Sequence, residues 1–187
     1  MFEKIKWPAG TLLAPVPAVL VSCGNMEKSN VFTVAWTGII NSTPAKTYIS
    51  VRKERFSYNL IKDSKEFVLN LTTRDLVRAT DFCGVRSGKN IDKFKEMKLT
   101  KQVANEVGCP LVGESPVSIE CRVTDIVELG THDMFVADIL CVDVAKDLLD
   151  DNGKLHLDKA NLITYSHGEY FALGDKLAKF GYTVKKS

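Results

Sequence analysis

The chain has 187 residues, a net charge of +2 and 26% charged residues, which is enough for one filled core and short for two domains. So mild a charge, with no basic stripe interleaved with aromatics, excludes a general nucleic-acid binder. No window approaches the roughly 20 apolar residues of a membrane span, and the start MFEKIKWPAGTLLAPVP lacks the long apolar core of a leader.

Residues 1–15 carry two prolines and a glycine and are expected to form an arm over the outside of the fold. VPAVLVSCG reads as the first strand, stopped at Gly24-Asn25. VFTVAWTG, β-branched and aromatic with polar residues interleaved, predicts one strand with a buried face. NSTPAK is a turn cluster whose proline stops that strand. TYISV is a further strand running into RKER, SYNLIKDSKEF reads as a short helix, and FVLNLTT as the next strand. Apolar spacing predicts a helix over Arg74–Cys83 and another over Asn90–Met97 capped by Asn90. After Gly108-Cys109-Pro110 come two alternating runs, PVSIECRVTDIVELG and DMFVADILCVDVAKDLL, expected as a hairpin turning at Gly130–Asp133. Asp150–Gly153 is a turn, LITYS a last strand, and GDKLAKFGY a final short helix. Neither repeat nor linker interrupts this order. The expected fold is mainly β with helical excursions, a closed or partly closed antiparallel barrel spanning residues 1–187 as one domain.

Five cysteines stand at 23, 83, 109, 121 and 141 without a CxxC pair, and three histidines add no zinc-ligand spacing, so no metal site is expected. Cys23, Cys121 and Cys141 lie in apolar strands and read as small buried thiols, whereas Cys83 and Cys109 lie near turns and are expected to be partly exposed. The pattern fits a reducing cytoplasm. There are no paired carboxylates, Ser-His-Asp order or P-loop, so no catalytic side chain is assigned. Without a GxGxxG after a strand there is no Rossmann nicotinamide site, and any NAD(P)H would have to bind over another cofactor.

The densest chemistry lies between Ser29 and Leu71. Arg52, Lys53 and Arg55, with Ser50 and Ser57 beside them, close an apolar strand and open a helix. A short basic turn is ordinarily just solvated. Here cations, hydroxyls and a helix N-terminus converge, which suits a phosphate. Trp36 reads first as a core tryptophan, yet a flat apolar wall beside Thr33, Ala35 and Thr37 also suits a flat ring. Ser87, Gly88, Lys89, Asn90 and Lys93 make a second basic element. His132 reads as a surface histidine at a turn, and His156 as a plain surface residue on a strand.

The run SNVFTVAWTGIINSTPAKTYISVRKERFSYNLI followed by EFVLNL resembles the flavin reductase-like, FMN-binding split-barrel proteins, in particular their flavoredoxin-type branch. The likeness continues through SGKNIDKF, GTHDMFVADI and ITYSHGEYFALGDKL, in order along nearly the whole chain. The resemblance implies an FMN-binding split β-barrel, a homodimer with the flavin near the subunit interface, and electrons passing through bound FMN. It implies a phosphate site at Ser50, Arg52 and Lys53, with Arg55 and Ser57 beside them and Ser87 and Lys89 completing it. The ring would lie along Thr33, Ala35, Trp36 and Thr37, with Asn30 at its edge or the ribityl chain. His167 and Phe171 would stand near the reactive face. Relatives carry a Gly-Asp-His run where this chain has Gly-Thr-His-Asp, so the acid at His132 has moved from before the histidine to after it. Three functions stay open: a flavoredoxin-like carrier served by a redox partner protein, an NAD(P)H-dependent flavin reductase, and a non-redox module for a phosphorylated ligand.

Overall fold

A computed structural model of the chain describes residues 1–184. It opens with β1 (Val16–Pro17), β2 (Val19–Gly24), β3 (Ser29–Val34), β4 (Thr37–Ser42) and β5 (Ala45–Arg52). Helix α1 (Phe56–Ser64), strand β6 (Glu66–Leu71), a 3-10 turn at Arg74–Leu76, α2 (Val77–Val85) and α3 (Lys93–Glu96) follow. Then come β7 (Lys101–Gln102), β8 (Leu111–Val112), the long pair β9 (Val117–Glu128) and β10 (His132–Val144), and the hairpin β11 (Ile163–Ser166) and β12 (Glu169–Ala172).

Seven strands form one antiparallel sheet in the order β3-β2-β6-β9-β10-β5-β4. β3 and β5 stand far apart in that order, yet Phe32 and Val34 of β3 share a core with Ile49 and Val51 of β5 and Phe135 of β10. The sheet therefore rolls around its own inner face, which is the mainly β split barrel the sequence predicts. Helix α1 plugs this core with Tyr58 and Ile61. Helices α2 and α3 cover the outer face of β2 and β3, where Leu20 and Val31 meet Leu76, Ala79, Cys83 and Phe94. Each such buried side chain contributes about 1.5–3 kcal/mol. Because β2 is covered on both faces it reads as a continuous apolar run, whereas β5 alternates, burying Thr47, Ile49 and Val51.

Several elements differ from expectation. The strand expected over 31–38 breaks at Ala35-Trp36: β3 pairs with β2 before the break, and β4 pairs with β5 after it. One apolar run thus serves both edges of the sheet, with Ser50 N–H donating to the Trp36 carbonyl at 2.9 Å. β4 also runs on through Asn41 and Ser42, so the expected NSTPAK turn shrinks to Thr43-Pro44. The helix expected from Asn90 is only α3, capped by Asp92, whose side chain accepts from Lys95 N–H. His156 lies just before a 3-10 turn, not on a strand, and pairs with Asp150 at 2.8 Å. The final helix does not form; among the described residues the segment after β12 holds only a 3-10 turn at Tyr182–Val184. Cys83 and Cys109 are buried, and Cys141 is the half-buried thiol, the reverse of the exposure expected near turns. None of the described helices is long and apolar enough to cross a membrane.

Candidate functional site

Two strand ends and a helix start meet at the open side of the barrel. β5 ends at Arg52, and the turn into α1 is closed by Arg55 N–H donating to the Arg52 carbonyl at 3.1 Å. The first N–H groups of α1 have no carbonyl four residues back, no side chain among the described residues caps them, and only Tyr58 N–H is taken up, by the Arg55 carbonyl at 2.9 Å. Pairing of β10 with β5 sets His132 opposite Arg52, and the Trp36 ring lies 4.6 Å from the His132 ring. Trp36 is 42% exposed, so it is a wall of this cleft and not a core tryptophan.

A cleft of 490 Å³ opens here, lined by Thr33, Ala35, Trp36, Ser50, Arg52 and His132, with Tyr165 and Tyr170 across from them. A second cavity of 400 Å³ adjoins it, lined by Asn30, Arg52, Arg55, Ser57, Ser87 and Lys93. Phe32, Arg52, Arg55 and Val85 belong to both walls, so the two spaces adjoin as one site, with the rings of Trp36, Tyr165 and Tyr170 around one end and a cluster of cations at the other. A third space of 360 Å³, bounded by residues 11–14, Trp36, Tyr165 and His167, flanks the slot.

The cationic end is held from below. Asn30 Nδ2 donates to Ser57 Oγ at 2.7 Å, the Arg55 guanidinium donates to the Gly84 carbonyl at 2.9 Å, and the buried Lys93 ammonium donates to the Cys83 carbonyl at 2.8 Å. Gly88 closes over this end so tightly that a Cβ there would sit 2.1 Å from Asn30 Oδ1. Three guanidiniums (Arg52, Arg55 and Arg86), an ammonium, two hydroxyls and a helix N-terminus outweigh the one carboxylate, Glu54, and fit a phosphate, and the aromatic slot fits a flat ring. The residues therefore fit FMN. Gly88→Ala is expected to lift the loop off Asn30, which its bond to Ser57 prevents from yielding. FMN affinity, read by fluorescence titration, should fall about tenfold with the melting temperature little changed.

Not every expected residue reaches the site. Lys53 turns away: its Nζ lies 3.4 Å from Asp133 and 3.5 Å from Glu128. Asp133 is fully buried at an inward position of β10 and accepts from the Tyr58 hydroxyl at 2.5 Å. Lys53 and Asp133 thus pin the turn after β5 to the tip of the β9–β10 hairpin. Thr37 spends its hydroxyl on the Tyr48 carbonyl at 2.5 Å, Lys89 is exposed in the loop after α2, and Phe171 lies half-exposed on β12, all three outside the cavity walls. Thr33 lines the cleft but its hydroxyl donates to the Thr80 carbonyl. Asp133 is the residue sequence reasoning left unassigned, and Lys93, named there only within a second basic element, lines the cavity where Lys89 does not. The signal for Asp133 was its place in the inward series with Phe135 and Ala137. Burial, with Arg52 and Arg55 nearby, holds His132 below its ordinary pKa, so its ring is neutral at pH 7.

Residues 12–174 match the family model for the flavin reductase like domain. The chain belongs to the flavin reductase-like family. Its fold superposes on the flavoredoxin of Desulfovibrio vulgaris (Miyazaki F) with a TM-score of 0.90 at 32% identity, covering 98% of this chain and 100% of that one. It is also similar to the flavoredoxin of Methanosarcina acetivorans, with a TM-score of 0.88 at 25% identity over 97% of each chain. Among curated proteins it is 25% identical to an NADPH-flavin oxidoreductase of Streptomyces viridifaciens, over 76% of this chain and 74% of that protein. The split barrel is thus a flavin reductase-like one over residues 12–174.

Proposed function

We propose that this flavin reductase-like chain binds FMN and works as a flavoredoxin-like electron carrier. The observation that carries this reading is the site with aromatic rings around one end and cations at the other, sharing Arg52 and Arg55. When bound, FMN would supply the hydride and electron chemistry. The chain's part is to hold and orient it. Arg52, Arg55, Ser57, Ser87 and Lys93 would hold the phosphate end. Phe32, Ala35 and Trp36 would wall the ring and exclude water. His132, held below its ordinary pKa, packs its ring against Trp36 at 4.6 Å with a tilt of 37°. The similarity to two flavoredoxins over nearly the full chain supports a carrier. The open cleft beside Tyr165 and Tyr170, with the likeness to an NADPH-flavin oxidoreductase, favours a nicotinamide-dependent reductase as the second reading.

An anaerobic visible spectrum decides between them. A flavin spectrum that ignores NADH and NADPH yet bleaches with dithionite is expected. Rapid bleaching by either nicotinamide would make the chain a reductase. No flavin after incubation with FMN would leave only a module for another phosphorylated ligand.

The proposed state is a homodimer. The chain alone exposes 12534 Å², against roughly 8,900 Å² for a compact monomer of its mass. That excess, about 3,600 Å² on one chain, is more than the roughly 1,000–2,500 Å² per partner that an obligate interface takes. Much of it is apolar: Phe2, Trp7 and Leu13 on the first arm and Leu177, Phe180 and Tyr182 on the last are exposed. Removing residues 1–11 is expected to shift the protein from dimer towards monomer in light scattering. An unchanged mass would mean that the interface lies elsewhere. The five free thiols, each pushed up by burial, suit the reducing cytoplasm proposed as its location.

A further inference from the structure

The charge of the smaller cavity depends on one amine. Lys93 is 3% exposed and lines the cavity, and its ammonium donates to the Cys83 carbonyl. An ammonium has three donors, so two remain for a ligand. Lys93 has no carboxylate partner among the described residues. On its own helix, Lys95 and Glu96 are exposed, as is the capping Asp92. Facing it are Cys83 from α2, Cys23 from β2, and Arg55 with Arg52 and Glu54 from the turn after β5, with Arg86 beyond α2. Glu54 is the one anion in that set, and it pairs with Arg52 at 3.3 Å on the surface. Burial pushes Cys23 up to about 12 and Cys83 up to about 11, so both thiols are neutral. A buried ammonium among cations and neutral thiols is costly until an anion arrives.

We infer that Lys93 makes this cavity selective for the dianion of a phosphate monoester, and that binding above neutral pH takes up a proton at its amine. This rests on the flavin reading of the same site. A terminal monoester brings two charges and three free oxygens, a diester one charge and two, and riboflavin neither. Burial, with a further push from Arg55, holds the free amine down to about 8. A bound dianion draws that value back up. The phosphate itself loses its second proton near pH 6. Dianion and ammonium therefore coexist from about pH 6 to pH 8, and binding is strongest there.

The test titrates the stripped protein with FMN, riboflavin and FAD from pH 6 to 10, with calorimetry in two buffers of different ionisation enthalpy. FMN affinity should fall about tenfold per pH unit above pH 8. Close to one proton should be taken up per FMN at pH 9, and almost none at pH 7. Riboflavin binding should be flat over the same range, and FAD weaker than FMN. In Lys93→Met the alkaline fall and the proton uptake should vanish, and the preference for FMN over riboflavin should shrink roughly ten- to a hundredfold. An apolar isostere removes a buried unpaired charge and keeps the fold, and the proton count needs no variant. FMN binding that is flat in pH without proton uptake, or FAD held as well as FMN, overturns this inference and leaves the flavin reading standing. No flavin bound at any pH overturns the flavin reading itself.

Discussion

Replacing Arg52 and Arg55 together by alanine is expected to strip FMN from the purified protein while leaving its fold intact. Both guanidiniums belong to both cavity walls, so the pair serves the phosphate end and its junction with the slot. A charge-assisted hydrogen bond contributes about 1.5–3 kcal/mol. Losing two, with allowance for non-additivity, weakens binding by about a hundredfold or more. Neither arginine is buried, so circular dichroism should barely change. Lys53→Ala makes the contrast. Its ammonium is spent on Asp133 and Glu128, so FMN affinity should move by less than about threefold, within what an exposed pair gives. If Lys53→Ala released FMN as completely as the arginine pair, the phosphate would not lie between Arg52 and Arg55. Fluorescence titration of each variant reads the difference.

Asp133→Ala is expected to lower stability markedly for a polar substitution. The carboxylate is fully buried, accepts from Tyr58 and faces Lys53, and its loss leaves the Tyr58 hydroxyl without an acceptor. A stranded buried donor costs about 1–3 kcal/mol. Lys53 is half-exposed and regains water, so the ion pair adds little. A total of about 2–3 kcal/mol corresponds to a melting temperature lower by about 5–10 °C. Tyr58→Phe should cost less, and the double variant no more than Asp133→Ala alone, because the two act through one bond. The sign with pH also follows. Burial pushes the Asp133 carboxyl up, but the Tyr58 and Lys53 hydrogen bonds outweigh it and leave it below the ordinary value. Its contribution is therefore present above about pH 4 and lost as pH falls further. Thermal melts of wild type and Asp133→Asn should converge on acidification. Parallel curves would show that Asp133 is not the group responsible.

Where a strand keeps the same two neighbours along its length and one face is wet, its sequence shows the fold plainly. β5 and the first half of β10 alternate, and strands are legible in TYISV and in the two long runs that begin at Pro116. What periodicity cannot show is a change of partner. VFTVAWTG stays strand-like throughout, and the break at Ala35-Trp36 exists because β2 lies on one side and β5 on the other. GDKLAKFGY has helix-forming residues, but short helices depend on packing, and Leu177 and Phe180 find nothing within the chain to pack against. The site divides in the same way. Arg52, Arg55, Ser57 and Trp36 were legible as residue types at the right spacing. The turn of Lys53 towards Asp133, and of Lys93 into the cavity in place of Lys89, depend on which way two short segments face. Only tertiary contacts set that direction.

The strand order also bears on how the chain comes to exist. β5 carries Arg52 and pairs early with β4, its neighbour in sequence, but its other edge stays bare until β10 is made and Phe135 meets Ile49. β6 likewise waits for β9. Such distant pairings make closure slow, in the range of milliseconds to seconds. On a ribosome the first half of this protein emerges without a floor for its core. Competence to take up a ligand in this cleft therefore waits for β10 and for the β11–β12 hairpin, whose Tyr165 and Tyr170 line it.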